Sequence, residues 1–321
     1  MFISHWENGT SWTGGELIPF GDIPMSPAAG VLNYGQGCFE GTKAYRTIKN
    51  QVVLFRPEMN AKRMAVSTRR LCIPEMNKEF FLQAVEETII DNIDYVPPYG
   101  KGSLYIRPIV WGTSPALGVK PVEEYTFMVF VSPVGPYFKG GVKPLRLTVS
   151  NDYHRAAPKG IGNAKAIGNY SASLYPLTEA KNRDFDEVIF LNAKDEKFVE
   201  EVGSANLFVL TENTIKTPKL DGSILPGITR DSVITLAKDT IGLEVLETNV
   251  TLTELYDADE VFCTGTAVVV TPVGSITGLD GKHKIADGKM GQLTSKLRQL
   301  LTGIQCGDVS DEFGWVCPIK E

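Results

Sequence analysis

The sequence predicts an α/β protein with two domains. At 321 residues the chain is long enough to divide its core. Its first half contains short runs rich in β-branched and aromatic residues, and its second half alternates such runs with helical patterns. A segment rich in glycine and proline separates the halves at residues 132–141. Together these observations indicate a mixed α/β (α+β) fold with a smaller N-terminal domain and a larger C-terminal domain.

Strands in the first half are predicted over residues 52–55, 104–111 and 125–131, which are apolar, β-branched or aromatic and bounded by Gly or Pro. A helix is predicted over residues 78–93, because apolar side chains recur there at helical spacing while acidic ones face out. The helix positions expected to face the core are Phe81, Ala84, Val85, Thr88 and Ile89.

The clearest break in the chain follows at residues 132–141. Its prolines and glycines predict irregular backbone from Ser132 onwards. We therefore expect a small N-terminal α/β domain over residues 1–132, an interdomain loop over 133–144 and a large C-terminal domain over 145–321. The loop is apolar for a linker, which is typical of a functional loop that packs over something.

The second half alternates predicted strands and helices. Glu212 and Asn213 separate two strand-like runs and indicate a hairpin. One helix is predicted over residues 229–240, after a Pro-Gly turn, and an amphipathic helix over residues 292–304. The strands are expected at residues 145–150, 187–191, 207–210, 214–217, 260–263 and 267–270.

Composition and charge exclude several classes of function. The net charge is −6 and no basic run exists, so a nucleic-acid partner is not expected. No apolar stretch approaches the length of a membrane span, and the N-terminal residues do not read as a secretory signal. The five cysteines are scattered without a CxxC pattern, so the sequence predicts neither a structural metal site nor a disulfide framework. We expect a cytoplasmic protein.

Lys165 is the strongest candidate for a catalytic residue. It lies among small, uncharged and glycine neighbours at residues 162–171, whereas most lysines have polar neighbours. Desolvation lowers the pKa of an amine and makes it nucleophilic, as a Schiff-base lysine requires. Phosphate-loop and dinucleotide motifs do not match this segment, which disfavours nucleotide binding.

Other segments could support such chemistry. Glu201 precedes a turn of small residues, where a carboxylate is more typically solvated but can also accept a bond from a cationic ring nitrogen. Thr229 opens a predicted helix after Pro226 and Gly227, and helix N-termini favour anions. Thr266 lies in a second hydroxyl-rich turn. Two such turns and one arginine would form a phosphate site.

In combination, these segments resemble the branched-chain aminotransferases of the fold-type-IV pyridoxal-phosphate family. The resemblance extends over nearly the whole chain, and its glycine-proline segment is most similar to the eukaryote-type subgroup. The resemblance implies two domains of this fold type, the larger a pseudo-barrel. The motifs that carry it lie at residues 34–41, 104–108, 132–138, 165–170, 201–203, 225–230 and 265–267.

By this resemblance, Lys165 binds pyridoxal 5′-phosphate as a Schiff base and Glu201 pairs with the pyridine nitrogen, so that the ring accepts electrons. Tyr170 is implied to bind the 3-oxygen of the ring. Arg63 is implied to bind the phosphate, for which its planar guanidinium is suited. The other phosphate donors implied are Ile228, Thr229 and Thr266.

The resemblance also implies a substrate pocket. Tyr34, Phe39 and Tyr137 resemble residues that line an apolar side-chain pocket, and in this family the Tyr34 segment crosses the interface of a homodimer.

Tyr105 resembles a carboxylate-binding hydroxyl, and Arg107 resembles the group that accepts the distal carboxylate of glutamate. Further substrate contacts are assigned to Thr266 and Ala267.

The resulting hypothesis is a transaminase for L-leucine, L-isoleucine, L-valine and 2-oxoglutarate, with amino acids and 2-oxo acids as its small-molecule partners. The alternatives within this fold are a D-amino-acid or (R)-amine aminotransferase and an aminodeoxychorismate lyase, against which Tyr105 and Arg107 argue. A non-catalytic relative is the alternative from another class. Some relatives carry a CxxC pair just after the Gly-Thr-Ala turn, but here the run over residues 267–271 contains no cysteine, so no thiol switch is expected there.

Overall fold

The computed structural model describes residues 1–135 and 142–320, which form two compact units. The first unit contains residues 1–135, 164–168 and 304–320, and the second contains residues 142–163 and 169–303. The chain therefore leaves the second unit twice. The domain boundaries expected from the sequence, with a loop over 133–144, stay a prediction.

The first unit is built on an eight-stranded sheet whose paired strands are antiparallel. The strand order is β17-β5-β4-β6-β7-β1-β2, with β3 paired to β6. The strands are Phe2–Glu7 (β1), Glu16–Leu17 (β2), Gly37–Phe39 (β3), Thr42–Arg46 (β4), Val52–Phe55 (β5), Ser103–Gly112 (β6), Glu124–Val134 (β7) and Val316–Pro318 (β17).

Helices of the first unit pack on this sheet. They are Gly30–Tyr34 (α1), Pro57–Arg70 (α2), Lys78–Asp91 (α3) and the 3₁₀ turn Ile93–Tyr95. Proline at the first position of α2 starts that helix, and Asn77 caps α3 by accepting a hydrogen bond from Phe80 N at 2.7 Å. The buried residues of α3 are the five predicted ones, which confirms the helical pattern read from the sequence.

Strand β7 runs further than the sequence predicts. Irregular backbone was expected from Ser132, but β7 continues to Val134, and Pro133 pairs with Leu104 of β6. That expectation was wrong because β1 pairs with β7 only up to Val129. Beyond that residue no strand of the described residues pairs with this edge of β7, and on such an edge the missing N–H of a proline removes no ladder hydrogen bond.

The second unit is built on a nine-stranded sheet that closes into a six-stranded barrel. The ring runs β8-β9-β10-β11-β14-β15 and back to β8, while β12, β13 and β16 extend from it. Its strands are Leu145–Val149 (β8), Glu187–Leu191 (β9), Val199–Val202 (β10), Ala205–Thr211 (β11), Thr214–Pro218 (β12), Glu244–Thr248 (β13), Glu260–Gly265 (β14), Val269–Gly278 (β15) and Gly281–Lys284 (β16). This barrel confirms the expected fold class.

The remaining helices are Ile167–Ser171 (α4), Leu174–Asn182 (α5), Ile228–Thr235 (α6), Leu252–Tyr256 (α7), Gln292–Cys306 (α8) and the 3₁₀ turn Ala286–Gly288. The predicted helix over 229–240 is α6, which continues as a π-helix over Leu236–Ile241 and ends at Gly242. The predicted strand over 267–270 begins only at Val269, because residues 266–268 form the turn before it. Within the described residues, every helix is too short or too polar to cross a membrane.

Candidate active site

The segment that carries Lys165 belongs to the first unit. Its backbone N donates to Ser67 Oγ at 2.9 Å, and its carbonyl oxygen accepts from Phe39 N at 3.1 Å. Ala166 forms an isolated bridge with Cys38 of β3. These contacts fix the backbone on both sides of the lysine side chain. The side chain itself is only partly buried, so the desolvation expected from its small neighbours is incomplete.

The Phe39 ring holds two cations. Lys165 Nζ lies 4.9 Å from the ring centroid and Arg107 Cζ lies 4.4 Å from it. An aromatic face attracts such cations through its quadrupole. The structure thus brings together three residues that the sequence assigned separately to catalysis, to an apolar wall and to carboxylate recognition.

Glu40 is a residue of this site that the sequence reasoning missed. It is fully buried and forms a bidentate pair with Arg63, whose Nε and Nη2 each donate at 2.8 Å. Asn60 donates to the same carboxylate at 2.7 Å. Burial raises the pKa of Glu40, but the charges of Arg63 and Lys165 and these hydrogen bonds hold it below its ordinary value. Glu40 is therefore a carboxylate near the lysine.

The pairing with Glu40 bears on the predicted role of Arg63. Arg63 lies on α2 and is buried, and two of its N–H groups point at Glu40. A guanidinium has five N–H donors in a fixed plane, so the bonds to Glu40 use only part of its donor capacity. The phosphate role of Arg63 stays a prediction.

Tyr105 and Arg107 are neighbours on one face of β6. Arg107 Nη2 donates to Tyr105 Oη at 3.1 Å. Tyr105 Oη also lies against Gly41, where a Cβ would come within 2.3 Å of it, so a larger residue at this position would displace the hydroxyl. Arg107 Nε is buried and has no acceptor among the described residues. An orphaned guanidinium N–H beside a hydroxyl is suited to a carboxylate ligand.

Of the three remaining aromatic residues predicted for the site, the structure describes Tyr34 and Tyr170. Tyr34 ends α1 and is 40% exposed. Tyr170 lies in the short helix α4, five residues after Lys165 in the chain. Tyr137 lies outside the described residues.

Glu201, the acidic residue predicted for the site, lies in the second unit. It is 2% exposed, and Asn206 Nδ2 donates to its Oε1 at 2.8 Å. Arg155 Nη2 lies 2.6 Å from its Oε2, and Leu225 N donates to the same oxygen at 3.3 Å. Arg155 was not predicted, because nothing in the sequence places it beside a residue so far along the chain. The arginine stabilises Glu201 in its ionised form.

The start of α6 lies close to this carboxylate. Gly227 occupies the N-cap position, and Ile228 and Thr229 are the first two helical residues, both buried. A glycine cap offers no side chain to the N–H groups of the first turn, so they remain suited to an anion. The structure thus places the predicted phosphate donors Ile228 and Thr229 in a helix start of the required kind.

Hydrogen bonds to the residues that follow it hold the turn that contains Thr266 and Ala267. Val269, the first residue of β15, has φ +61°, which is strained for a β-branched residue. Arg298 of α8 donates to Val270 O at 2.7 Å, and Thr271 Oγ1 donates to Val268 O at 2.6 Å. These bonds fix the exit of the turn. Strained turns of this kind are concentrated at ligand sites.

Glu200, next to Glu201, is buried against further polar groups. Ser223 Oγ lies 2.6 Å from Glu200 Oε1 and 2.7 Å from Asp221 Oδ1. A hydroxyl carries one proton, so both bonds form only if one of the carboxyls is protonated. Burial raises the pKa of Glu200, and Asp221 raises it further. The hydrogen bond from Ser223 and the charges of Arg155 and His154 lower it less.

We expect Glu200→Gln to stabilise the protein increasingly as the pH rises above the ordinary carboxyl pKa of 4.5. A pKa raised by folding means that folded-state stability is lost as the pH rises through it, and glutamine does not ionise. The gain should reach about 1 kcal/mol at pH 8 and decline towards pH 4.5, in urea unfolding of the apoprotein. An equal difference at both pH values would contradict the raised pKa.

Comparison with known proteins defines the class. The sequence matches the family described as amino-transferase class IV over residues 37–276. It also resembles the solved branched-chain amino acid aminotransferase of Escherichia coli, with a TM-score of 0.83, 31% identity and 99% of each chain covered. The chain belongs to the class IV aminotransferases, and it is a pyridoxal-phosphate-dependent enzyme of fold type IV.

Two further comparisons show to which group within this class the chain belongs. The chain is 49% identical over 316 residues to the Arabidopsis thaliana protein named branched-chain-amino-acid aminotransferase 3, chloroplastic, covering 98% of this chain and 76% of that one. The T.th. branched-chain amino acid aminotransferase, solved with pyridoxamine 5′-phosphate, has a TM-score of 0.82 at 33% identity, and the match covers 99% of this chain and 98% of that chain. Within its class the chain belongs to the branched-chain-amino-acid aminotransferases.

Proposed function

We propose that this enzyme transfers the amino group between L-leucine, L-isoleucine or L-valine and 2-oxoglutarate. The observation that supports this most directly is that the Phe39 ring makes cation–π contacts with both Lys165 and Arg107. One pocket must accept an aliphatic side chain in one half-reaction and a carboxylate in the other. An apolar wall with a single guanidinium at its edge provides for both.

Residues of the first unit would attach pyridoxal phosphate covalently and bind its phosphate group. Lys165 is the amine that would hold it covalently, and after substrate binding the free amine moves the proton of the substrate α-carbon. The bound cofactor supplies an electron sink for the resulting carbanion. Glu40 lies near the lysine and pairs with Arg63, which would bind the phosphate.

The residues of the second unit fit the ring nitrogen and the phosphate. Glu201, ionised beside Arg155, would keep the ring nitrogen protonated. The N–H groups of Ile228 and Thr229 would bind the phosphate at the start of α6, which no side chain caps. Tyr170 would bind the ring 3-oxygen. Thr266 would add a phosphate contact, and with Ala267 a contact to the substrate carboxylate.

A two-substrate assay tests this function. Purified enzyme with pyridoxal phosphate should convert L-leucine and 2-oxoglutarate into 4-methyl-2-oxopentanoate and L-glutamate. Parallel reactions with D-alanine, an (R)-amine and aminodeoxychorismate test the other activities of this fold. Turnover of any of these in preference to L-leucine would overturn the proposal.

Arg107→Ala is expected to impair glutamate more than leucine. The substitution removes the charged partner of the distal carboxylate but leaves the apolar wall, so kcat/KM should fall about 10- to 100-fold for glutamate and only a few-fold for leucine. Half-reactions followed by cofactor absorbance measure each substrate separately. Arg70→Ala, on the exposed end of α2, is the matched control. Equal losses with both amino acids would remove Arg107 from this role.

We also propose a homodimer in a reducing compartment such as the cytoplasm. Several large apolar side chains of the first unit are mostly exposed, which favours a further contact with a second copy. Among them are Phe20, Leu32, Leu117 and Val119. The five cysteines are all free thiols. Sedimentation equilibrium at micromolar concentration tests the dimer, and a monomer there would contradict it.

A further inference from the structure

Asn206 links two parts of the second unit that the proposed function assigns to the cofactor. It is 5% exposed and lies in β11, where it pairs in register with Glu201 of β10. The next residue, Leu207, packs in the barrel core, so Asn206 faces the other side of the strand. Its neighbours there are the Glu201 carboxylate and the loop that leads into α6.

Both hydrogens of the Asn206 amide are engaged by acceptors. Nδ2 donates to Glu201 Oε1 at 2.8 Å and to Leu225 O at 3.0 Å. A carboxylate and a carbonyl are acceptors only, so the amide must present its nitrogen to them. Aspartate has the same shape but no donor when ionised. The chemistry of the two partners therefore requires an amide at this position.

The other atom of the amide contacts the helix start. A Cβ at Gly227 would lie 2.0 Å from Asn206 Oδ1, so the amide oxygen lies directly against the backbone of the N-cap residue. Gly227 is followed at once by Ile228, the first residue of α6. One side chain thus touches both the buried carboxylate and the cap of α6, the helix proposed to bind the phosphate.

Other hydrogen bonds strengthen the connection between Glu201 and the loop before α6. Arg155 Nη2 donates to Ser223 O and pairs with Glu201, and Leu225 N donates to Glu201. These bonds tie the carboxylate to residues 223–225. Asn206 also contacts Gly227.

We propose that Asn206 is a positioning residue that sets the placement of the Glu201 carboxylate relative to the N-terminus of α6. The inference rests on the proposed function, in which these groups bind the ring nitrogen and the phosphate of one rigid cofactor. A rigid ligand with two anchoring ends binds well only if both anchors are held at the matching distance. Asn206 does not touch the reacting atoms and acts through Glu201 and Gly227.

The test compares Asn206→Asp with Asn192→Asp. Asn192 also makes two side-chain hydrogen bonds in this unit, to Asp195 and from Phe198 N, but none to the site. Titration of apoprotein with pyridoxal 5′-phosphate should show affinity weakened about 10- to 100-fold for N206D at pH 8 and little changed for N192D. Because adjacent carboxyls share a proton in acid, the loss for N206D should be smaller at pH 5.5.

Two readouts separate positioning from general destabilisation. The ³¹P resonance of the bound phosphate and the visible absorbance band of the bound cofactor should both shift in N206D but not in N192D, at a temperature where thermal unfolding shows both apoproteins to be folded. Should N206D not fold, Asn206→Ala carries the same comparison without the added charge.

The outcomes are distinguishable from failure of the proposed function. Wild-type affinity, ³¹P shift and absorbance in both Asn206 variants would overturn this inference alone. A wild-type apoprotein that takes up no pyridoxal phosphate would overturn both the proposed function and this inference.

Discussion

Replacing Lys165 by alanine is expected to abolish transamination. The proposed mechanism uses this amine twice, as the covalent attachment point of the cofactor and as the base for the substrate α-carbon. Loss of a positioned base alone costs about 10²- to 10⁴-fold, and loss of covalent attachment adds to it. We therefore expect turnover to fall at least about 10⁴-fold.

The measurement combines activity with labelling. Borohydride reduction of the holoenzyme followed by peptide mapping should tag Lys165 in the wild type, and the alanine variant should lack both the tag and the visible absorbance of lysine-bound cofactor. Lys101→Ala, an exposed lysine of the first unit, is the control and should retain activity and the tag. A tag on another lysine, or full turnover in Lys165→Ala, would refute the assignment.

Replacing Glu40 by alanine is expected to cause the largest loss of stability. Glu40 is fully buried, and its carboxylate balances the charge of buried Arg63 through two hydrogen bonds of 2.8 Å. Removing one member of a buried ion pair takes away a compensating charge from the other member, which costs about 3–5 kcal/mol. Asn60 also loses an acceptor, so the free energy of unfolding should fall by at least that amount.

Urea unfolding of the apoprotein measures this loss against Glu75→Ala. Glu75 pairs with Arg69 near the end of the same helix, but both side chains are mostly exposed, so its removal should barely change stability. The pKa of Glu40 lies below its ordinary value near 4.5, so its contribution is present above that pH and is lost as the pH falls. Similar losses in the two variants would show that the Glu40 pair is not a stabilising interaction.

The local features of the fold could be predicted from the sequence. The five core positions of α3 followed from helical periodicity, and the helix start after Gly227 followed from turn chemistry. Lys165 was selected as a candidate because its neighbours are unusual for a lysine. Each of these signals lies within a few residues of the feature that it predicts.

The partners of the site residues could not be predicted in this way. Glu40 and Arg63 are 23 residues apart, and Arg155 reaches Glu201 only through the folded barrel. Periodicity and turn signals carry no information about such distant pairs. The extension of β7 through Pro133 was missed for the same reason, since it depends on where a neighbouring strand ends.

The closed ring of strands also has a consequence for the order of folding. Strands β10 and β11 are joined by only Gly203 and Ser204, and Glu201 faces Asn206 across this short hairpin. Little chain entropy is lost when such neighbours meet, whereas β8 and β15 are separated by most of the unit. Glu201 and Asn206 can therefore come together early in folding, before β8 pairs with β15 and closes the barrel.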